Sequence, residues 1–178
     1  PNKADFKDFK AIFKNAVFTN RMKHLFVMLS YIDDCENEVE AISVKNDMFY
    51  RQKWNLDIEH IISHRYSNPA LNEEDKIENS IGNLMYLDRS LNRKLGKMTV
   101  GFNFVQDDYN NKIENYSEKV TLQCVRAFLG NYQKYNSPND AIEKRRDDKV
   151  KFLKKLYDGY VQKVLSESDD DNALLINS

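Results

Sequence analysis

Two stretches decide how this chain folds. The first is Trp54-Asn55-Leu56-Asp57-Ile58-Glu59-His60-Ile61-Ile62; the second is Ile81-Gly82-Asn83-Leu84-Met85-Tyr86-Leu87, continuing through Asp88-Arg89-Ser90-Leu91-Asn92-Arg93-Lys94-Leu95-Gly96. In the first, Leu56, Ile58, Ile61 and Ile62 suit a short strand over 55–62. Residues 63–80 between the stretches are polar and lack periodicity, with Asn68-Pro69 marking a turn, so they read as a long loop. Leu84-Met85-Tyr86-Leu87 is a second short apolar strand, entered through the tight Ile81-Gly82-Asn83 feature. Asp88 stands where an N-cap starts a helix, and Gly96 is its natural stop just past Leu95. The order is strand, loop, strand, short helix.

Helical periodicity surrounds this centre. Phe6, Phe9, Ile12, Phe13 and Val17, then Met22, Leu25, Phe26, Met28 and Leu29, predict helix over 5–33, with Asn20 able to cap a second segment. Residues 41–54 suit a short helix or a strand equally, and 98–117 read as irregular and aromatic-rich. Two further helices fit 118–135 (Val120, Val125, Phe128 and Leu129 on one side) and 140–165 (Ile142, Val150, Leu153, Leu156, Tyr157, Tyr160 and Val164). The expected fold is mostly α with a small β-hairpin. Residues 1–50 form an N-terminal helical layer, 51–100 the core and 101–165 C-terminal helices of the same domain. An acidic, disordered tail is expected over 166–178.

The composition permits this and excludes several classes. A chain of 178 residues with 41% hydrophobic and 31% charged residues holds one compact domain, and 5 Gly and 3 Pro argue against a many-turned all-β chain. The net charge of −1 gives no global attraction to a polyanion, but residues 88–97 gather Arg89, Arg93, Lys94 and Lys97 against one acid. Cys35 and Cys124 are far apart with no C-x-x-C spacing, which argues against a thiolate zinc site and for reduced cytoplasmic thiols. No apolar run approaches ~20 residues, so no membrane helix is expected, and no signal peptide opens the chain. The start on Pro1 suggests a fragment with a further domain upstream.

Chemistry concentrates in the hairpin. Phosphodiester hydrolysis needs a deprotonated water, a stabilised pentacovalent phosphate and a stabilised leaving oxygen. A divalent ion held by oxygen ligands can serve the last two needs. Histidine, with an ordinary pKa near ~6.5, suits the removal of the water proton. On residue type, Glu59 can bind the ion, His60 can act as base and Asn92 can lend a neutral amide oxygen. On a regular strand Asp57 and Glu59 share one face while His60 points to the other, so a common site requires a twisted or bulged strand end.

The motif Asp57-Ile58-Glu59-His60-Ile61-Ile62, followed by Gly82-Asn83-Leu84 and Leu91-Asn92, resembles an HNH nuclease family: the C-terminal nuclease domain of GmrSD-type modification-dependent (type IV) restriction enzymes. Asn20-Arg21-Met22-Lys23 is similar to that family's upstream helix, and 141–146 to its I-x-x-R helix. The resemblance implies a ββα-metal (HNH, or His-Me finger) core among helices and a metal-dependent DNA endonuclease of a restriction or phage-defence system. It selects Glu59 as metal ligand with Asp57 as rival, Asn92 as the ligand on the helix, His60 as general base and Asn83 as the brace of its loop. The implied cofactor is Mg²⁺, with Mn²⁺ or another divalent ion as substitute. The implied partners are DNA and an upstream nucleotide-hydrolysing or recognition module, in a bacterial or archaeal cytoplasm. One departure stands out: the L-P-Q that often follows the histidine is Ile62-Ser63-His64 here.

Each residue also has a plainer role open to it. Arg89, Arg93, Lys94 and Lys97, with His64, are candidates for contacts to DNA phosphates, or else a solvated helix face and a loop histidine. His24 reads as structural or surface. Tyr109, Tyr116, Tyr132 and Tyr135 read as packing rather than as stacking platforms. Two other functions compete: a non-catalytic nucleic-acid-binding or interaction domain of HNH-like fold, and an RNA-directed nuclease toxin.

Overall fold

Strands β1 (Leu56–His60) and β2 (Leu84–Asp88) pair antiparallel in the computed structural model, which describes residues 20–35, 56–66, 70, 77–118, 120 and 122–176. Side chains are described between Lys23 and Lys163. The register is unbroken, from Leu56 opposite Asp88 to His60 opposite Leu84. Helix α1 (Asn20–Asp34) precedes the hairpin, and α2 (Arg89–Met98), α3 (Val105–Ser117), α4 (Gln123–Asn131) and α5 (Pro138–Ile176) follow it. The described residues are thus mostly helical around one two-stranded sheet. The expectations for 5–19 and for 41–54 lie outside them.

β2 is central because nothing on it is polar until its end: Leu84, Met85, Tyr86 and Leu87 are all buried. They join Val27 and Tyr31 of α1, Leu91 and Leu95 of α2, Tyr109, Ile113 and Tyr116 of α3, and Val125 and Phe128 of α4 in one core. Spacings of three, four and seven residues put each helix's apolar positions on one face. Tyr109, Tyr116 and Tyr132 are buried and meet Phe128 edge-on or tilted, so they pack.

Four elements depart from expectation, and the one expected over 118–135 is helical only from Gln123 to Asn131, leaving Val120 exposed. The helix after β2 begins at the Asp88 cap, whose carboxylate accepts from the Ser90 and Leu91 amides, but it passes through Gly96 to Met98. Leu91, Leu95 and Thr99 are buried on one side, and that packing outweighs the mild helix penalty of a glycine. Residues 105–117 are helical rather than irregular, because Tyr109, Lys112, Ile113 and Tyr116 form a buried stripe that mixes polar with apolar residues. Helix α5 continues to Ile176, past the tail expected from Ser166. On α5 the buried face is Ile142, Arg145, Lys149, Val150 and Leu153, whereas Leu156, Tyr157 and Tyr160 are exposed.

Arg145 and Lys149 explain that substitution of charge for oil. The Lys149 ammonium meets Asp33 at 2.7 Å and also pairs with Asp34, while Arg145 reaches Asp34 and the Ser30 hydroxyl of α1. Arg145 also donates to the carbonyls of Ile81, Gly82 and Leu84, at 3.3, 2.9 and 2.8 Å. It thereby holds the turn entering β2. Gly82 is required there: a Cβ would stand 2.1 Å from the Ile142 carbonyl oxygen and 2.6 Å from the Arg146 nitrogen.

Candidate active site around His60

His60 closes β1 and is half-buried. Its Nε2 lies 3.0 Å from Nε2 of His64, and the two rings stand 4.2 Å apart, tilted by 52°. His64 opens a 3₁₀ turn (His64–Tyr66) and is exposed. Two ring nitrogens at this distance share one proton, so one imidazole donates and the other accepts. Burial pulls the His60 pKa down to about 3, with His64, Lys23 and Lys112 adding like-charge repulsion. The ring is neutral at any physiological pH.

The backbone on both sides of His60 is tied down by groups distant in sequence. The Asn83 side chain is fully buried. Its Oδ1 accepts from the Ile62 amide at 2.7 Å, and its Nδ2 donates to the carbonyls of Ile62 and Glu78, at 2.9 and 3.0 Å. The Asn83 backbone carbonyl also accepts from the Ile61 amide. Asn83 therefore braces the loop leaving His60 and turns no group towards solvent. From the other side, Lys112 of α3 donates to the His60 carbonyl at 2.6 Å.

The acids on β1 are committed as well. Because the ladder is regular through His60, Glu59 and His60 alternate to opposite faces. Glu59 is 4% exposed and is no open carboxylate: Lys112 pairs with its Oε1 at 2.8 Å, and the Tyr116 hydroxyl donates to the same oxygen at 2.8 Å. The adjacent carboxylate and burial raise the Tyr116 hydroxyl well above its ordinary range, burial weighing most, so it stays a donor. Asp57 accepts from Arg89 Nε at 2.9 Å. Asn92 lies in the first turn of α2, half-buried.

Of the candidate phosphate contacts, Arg93 and Lys97 are exposed on α2, and Lys94 reaches Glu118 at 3.4 Å. Arg89 is drawn towards Asp57, with its side chain 42% exposed. Sequence reasoning missed Lys112 and Arg65, and it gave no site role to Tyr116 or Arg145. Arg65 donates to Thr99 Oγ1 at 2.7 Å and so ties the loop after His60 to the end of α2. A lysine and a tyrosine four apart on a helix carry no signal of their own, whereas Arg145 lies in the I-x-x-R pattern. A cavity of about 310 Å³ lies among residues of α3 and the segment after α4, including Tyr109, Ile113 and Gln133. No hairpin residue lines it, so it is separate from the His60 region.

Among the described residues, no three His, Cys, Asp or Glu side chains gather in a way that could hold a metal ion. That excludes a closed structural zinc cage there. It does not conflict with a hard ion such as Mg²⁺, which is held by one or two carboxylates, an amide and waters. On β1 and α2 the oxygens left over are few: both contacts to Glu59 fall on Oε1, Asp57 is paired with Arg89, and the Asn92 amide stands one helical turn beyond Arg89.

The described residues define the class: a small, mostly helical domain around one two-stranded antiparallel hairpin that runs directly into a helix. Residues 3–152 match the family described as GmrSD restriction endonucleases, C-terminal domain, and the chain belongs to that family. It is thereby a nuclease domain of the restriction-enzyme type. No curated protein and no solved structure matches it. Among the described residues, no helix is long and apolar enough to cross a membrane.

Proposed function

We propose that this domain is an HNH-type, metal-dependent endonuclease that hydrolyses DNA phosphodiester bonds, with His60 as general base. The observation that carries the reading is an imidazole at the end of β1, in a restriction-endonuclease domain, whose flanking backbone is fixed by Asn83 and Lys112. In one tautomer His60 donates Nε2–H to His64 and leaves Nδ1 with a lone pair to take the proton from water. Asn83 then acts by position, holding the loop that fixes the ring.

The residues that would hold the ion are Glu59, through Oε2, and Asn92; because the regular ladder sends Glu59 and His60 to opposite faces, their joint action on one phosphate requires the end of β1 to twist. Arg89 bonds Asp57 at one end of α2, and Arg65, in the loop after β1, bonds Thr99 at the other. Arg89 and Asn92 share a helix face, and Asp57 and Glu59 share a strand face. On this reading Asn92, one turn after Arg89, would supply the amide oxygen beside Glu59. Lys112 and Tyr116 fix Glu59 through its other oxygen, as outer partners fix a ligand. Asp57, paired with Arg89, is the weaker candidate. When bound, the ion supplies positive charge beside the phosphate and the leaving oxygen. Arg93, Lys94 and Lys97 on α2, with His64, would contact the flanking phosphates. This reading goes with a partner module that recognises the target, and with action in the bacterial or archaeal cytoplasm.

The test is cleavage of supercoiled plasmid with Mg²⁺ or Mn²⁺, with and without EDTA. The wild-type chain nicks or linearises the plasmid, EDTA stops it, and His60→Ala lowers the rate by about 10²–10⁴-fold. Cleavage at the wild-type rate by His60→Ala would remove His60 from the mechanism.

A further inference from the structure

The segment joining α2 to α3 presents apolar side chains to water. Val100 is 75% exposed and Phe104 68%, and Met98 at the end of α2 is 44% exposed. Isolated surface hydrophobics are ordinary, but here three large ones fall within seven residues. The loop carrying them is anchored. Phe102 N–H donates to the Thr99 carbonyl, and Asp108 N–H donates to the Phe104 carbonyl at the start of α3.

Its other anchors come from the loop that follows His60. Arg65 donates to Thr99 Oγ1 at 2.7 Å, and the Tyr66 hydroxyl donates to the Phe104 carbonyl at 3.1 Å. Ser63, on the same loop, donates to Asp108 at 2.8 Å. Phe104 is thus set at a fixed offset from the His60–His64 pair, with its backbone held and its ring in solvent. The helix leading into it, 89–98, exposes Arg93 and Lys97, while its Arg89 and Lys94 pair with Asp57 and Glu118 from outside the helix. An apolar ring near the exposed cations Arg93 and Lys97 suits a polymer that is anionic along its backbone, with flat apolar faces inside.

We propose that Phe104, with Val100 beside it, is an apolar wedge that stacks on a base of the bound DNA next to the scissile phosphate. This rests on the endonuclease reading above and adds to it a contact that reads or opens the base stack rather than the backbone. Aromatic side chains make such contacts without sequence preference, and wedges of this type part base steps in the minor groove. In this arrangement α2 holds the phosphates and the ring fixes which step lies at His60.

The experiment measures binding of fluorescein-labelled duplex and single-stranded DNA by anisotropy, in EDTA so that no cleavage intervenes. It compares the wild-type chain with Phe104→Ala, Phe104→Trp and Lys97→Ala across a salt series. Loss of one stacked base corresponds to roughly a 5- to 100-fold weaker affinity. Phe104→Ala shows that loss with an unchanged salt slope, because no charge is removed, and Phe104→Trp restores binding. Lys97→Ala instead lowers the slope. Equal affinity of Phe104→Ala and wild type on both DNA forms would overturn the wedge while leaving the nuclease reading intact. Absence of plasmid cleavage by the wild type with Mg²⁺ or Mn²⁺ would count against the nuclease reading itself, whatever Phe104→Ala does.

Discussion

Lys112 touches both halves of the candidate site, bonding the His60 carbonyl and the Glu59 carboxylate while buried in α3. Breaking a buried pair from one side leaves an uncompensated charge, which costs about 3–5 kcal/mol. Lys112→Met should therefore lower the melting temperature by roughly 2–4 °C for each kcal/mol lost. The double variant Lys112→Met/Glu59→Gln should recover most of the loss, since no charge is then stranded. Calorimetry on the four proteins of the cycle decides it; a double variant no more stable than Lys112→Met would mean that the pair is not what matters. Neither residue's commitment was legible beforehand. His60 and Asn83 stand out because motif and turn chemistry mark them, but whether Glu59 faces solvent or a lysine depends on which helix covers β1.

Two glycines show how elements set the meaning of a residue. Gly82 lies where the turn into β2 meets α5, and an added Cβ has nowhere to go between Ile142 and Arg146. Gly82→Ala should destabilise by at least about 1–3 kcal/mol, because a backbone rather than a flexible side chain must move. Gly96 lies within α2 with nothing within 4 Å of its would-be Cβ. Gly96→Ala should stabilise by about 0.8–1 kcal/mol, the helix preference of alanine. Urea unfolding midpoints of both variants test the pair, and a destabilising Gly96→Ala would show that α2 does end there. Both glycines look alike in sequence. Asp88 was readable as a cap because its donors are its own neighbours, Ser90 and Leu91. The end of α2 was not, because it is set by Leu95 and Thr99 packing against the rest of the chain.

Across the whole molecule, the burial that keeps His60 neutral couples the site to stability. In the folded chain His60 resists protonation down to about pH 3, whereas in the unfolded chain it takes a proton near 6.5. The unfolded state thus binds more protons between these values, so stability is full above about 6.5 and falls as pH drops towards 3. Denaturant midpoints over that window should decline for wild type and decline less for His60→Gln; parallel curves would place the titration elsewhere. By itself the sequence determined the strand–loop–strand–helix order, the Asp88 cap, the His60 and Asn83 motif and the mostly helical class, since these rest on local periodicity and on side chains bonding near neighbours. Only the tertiary structure decided that Glu59 is held by Lys112 and Tyr116, that Arg145 clamps the turn before β2, and that His64 stands against His60. Those contacts join residues up to 64 positions apart or cross from one loop turn to a strand end. Local spacing carries no record of which distant donor arrives.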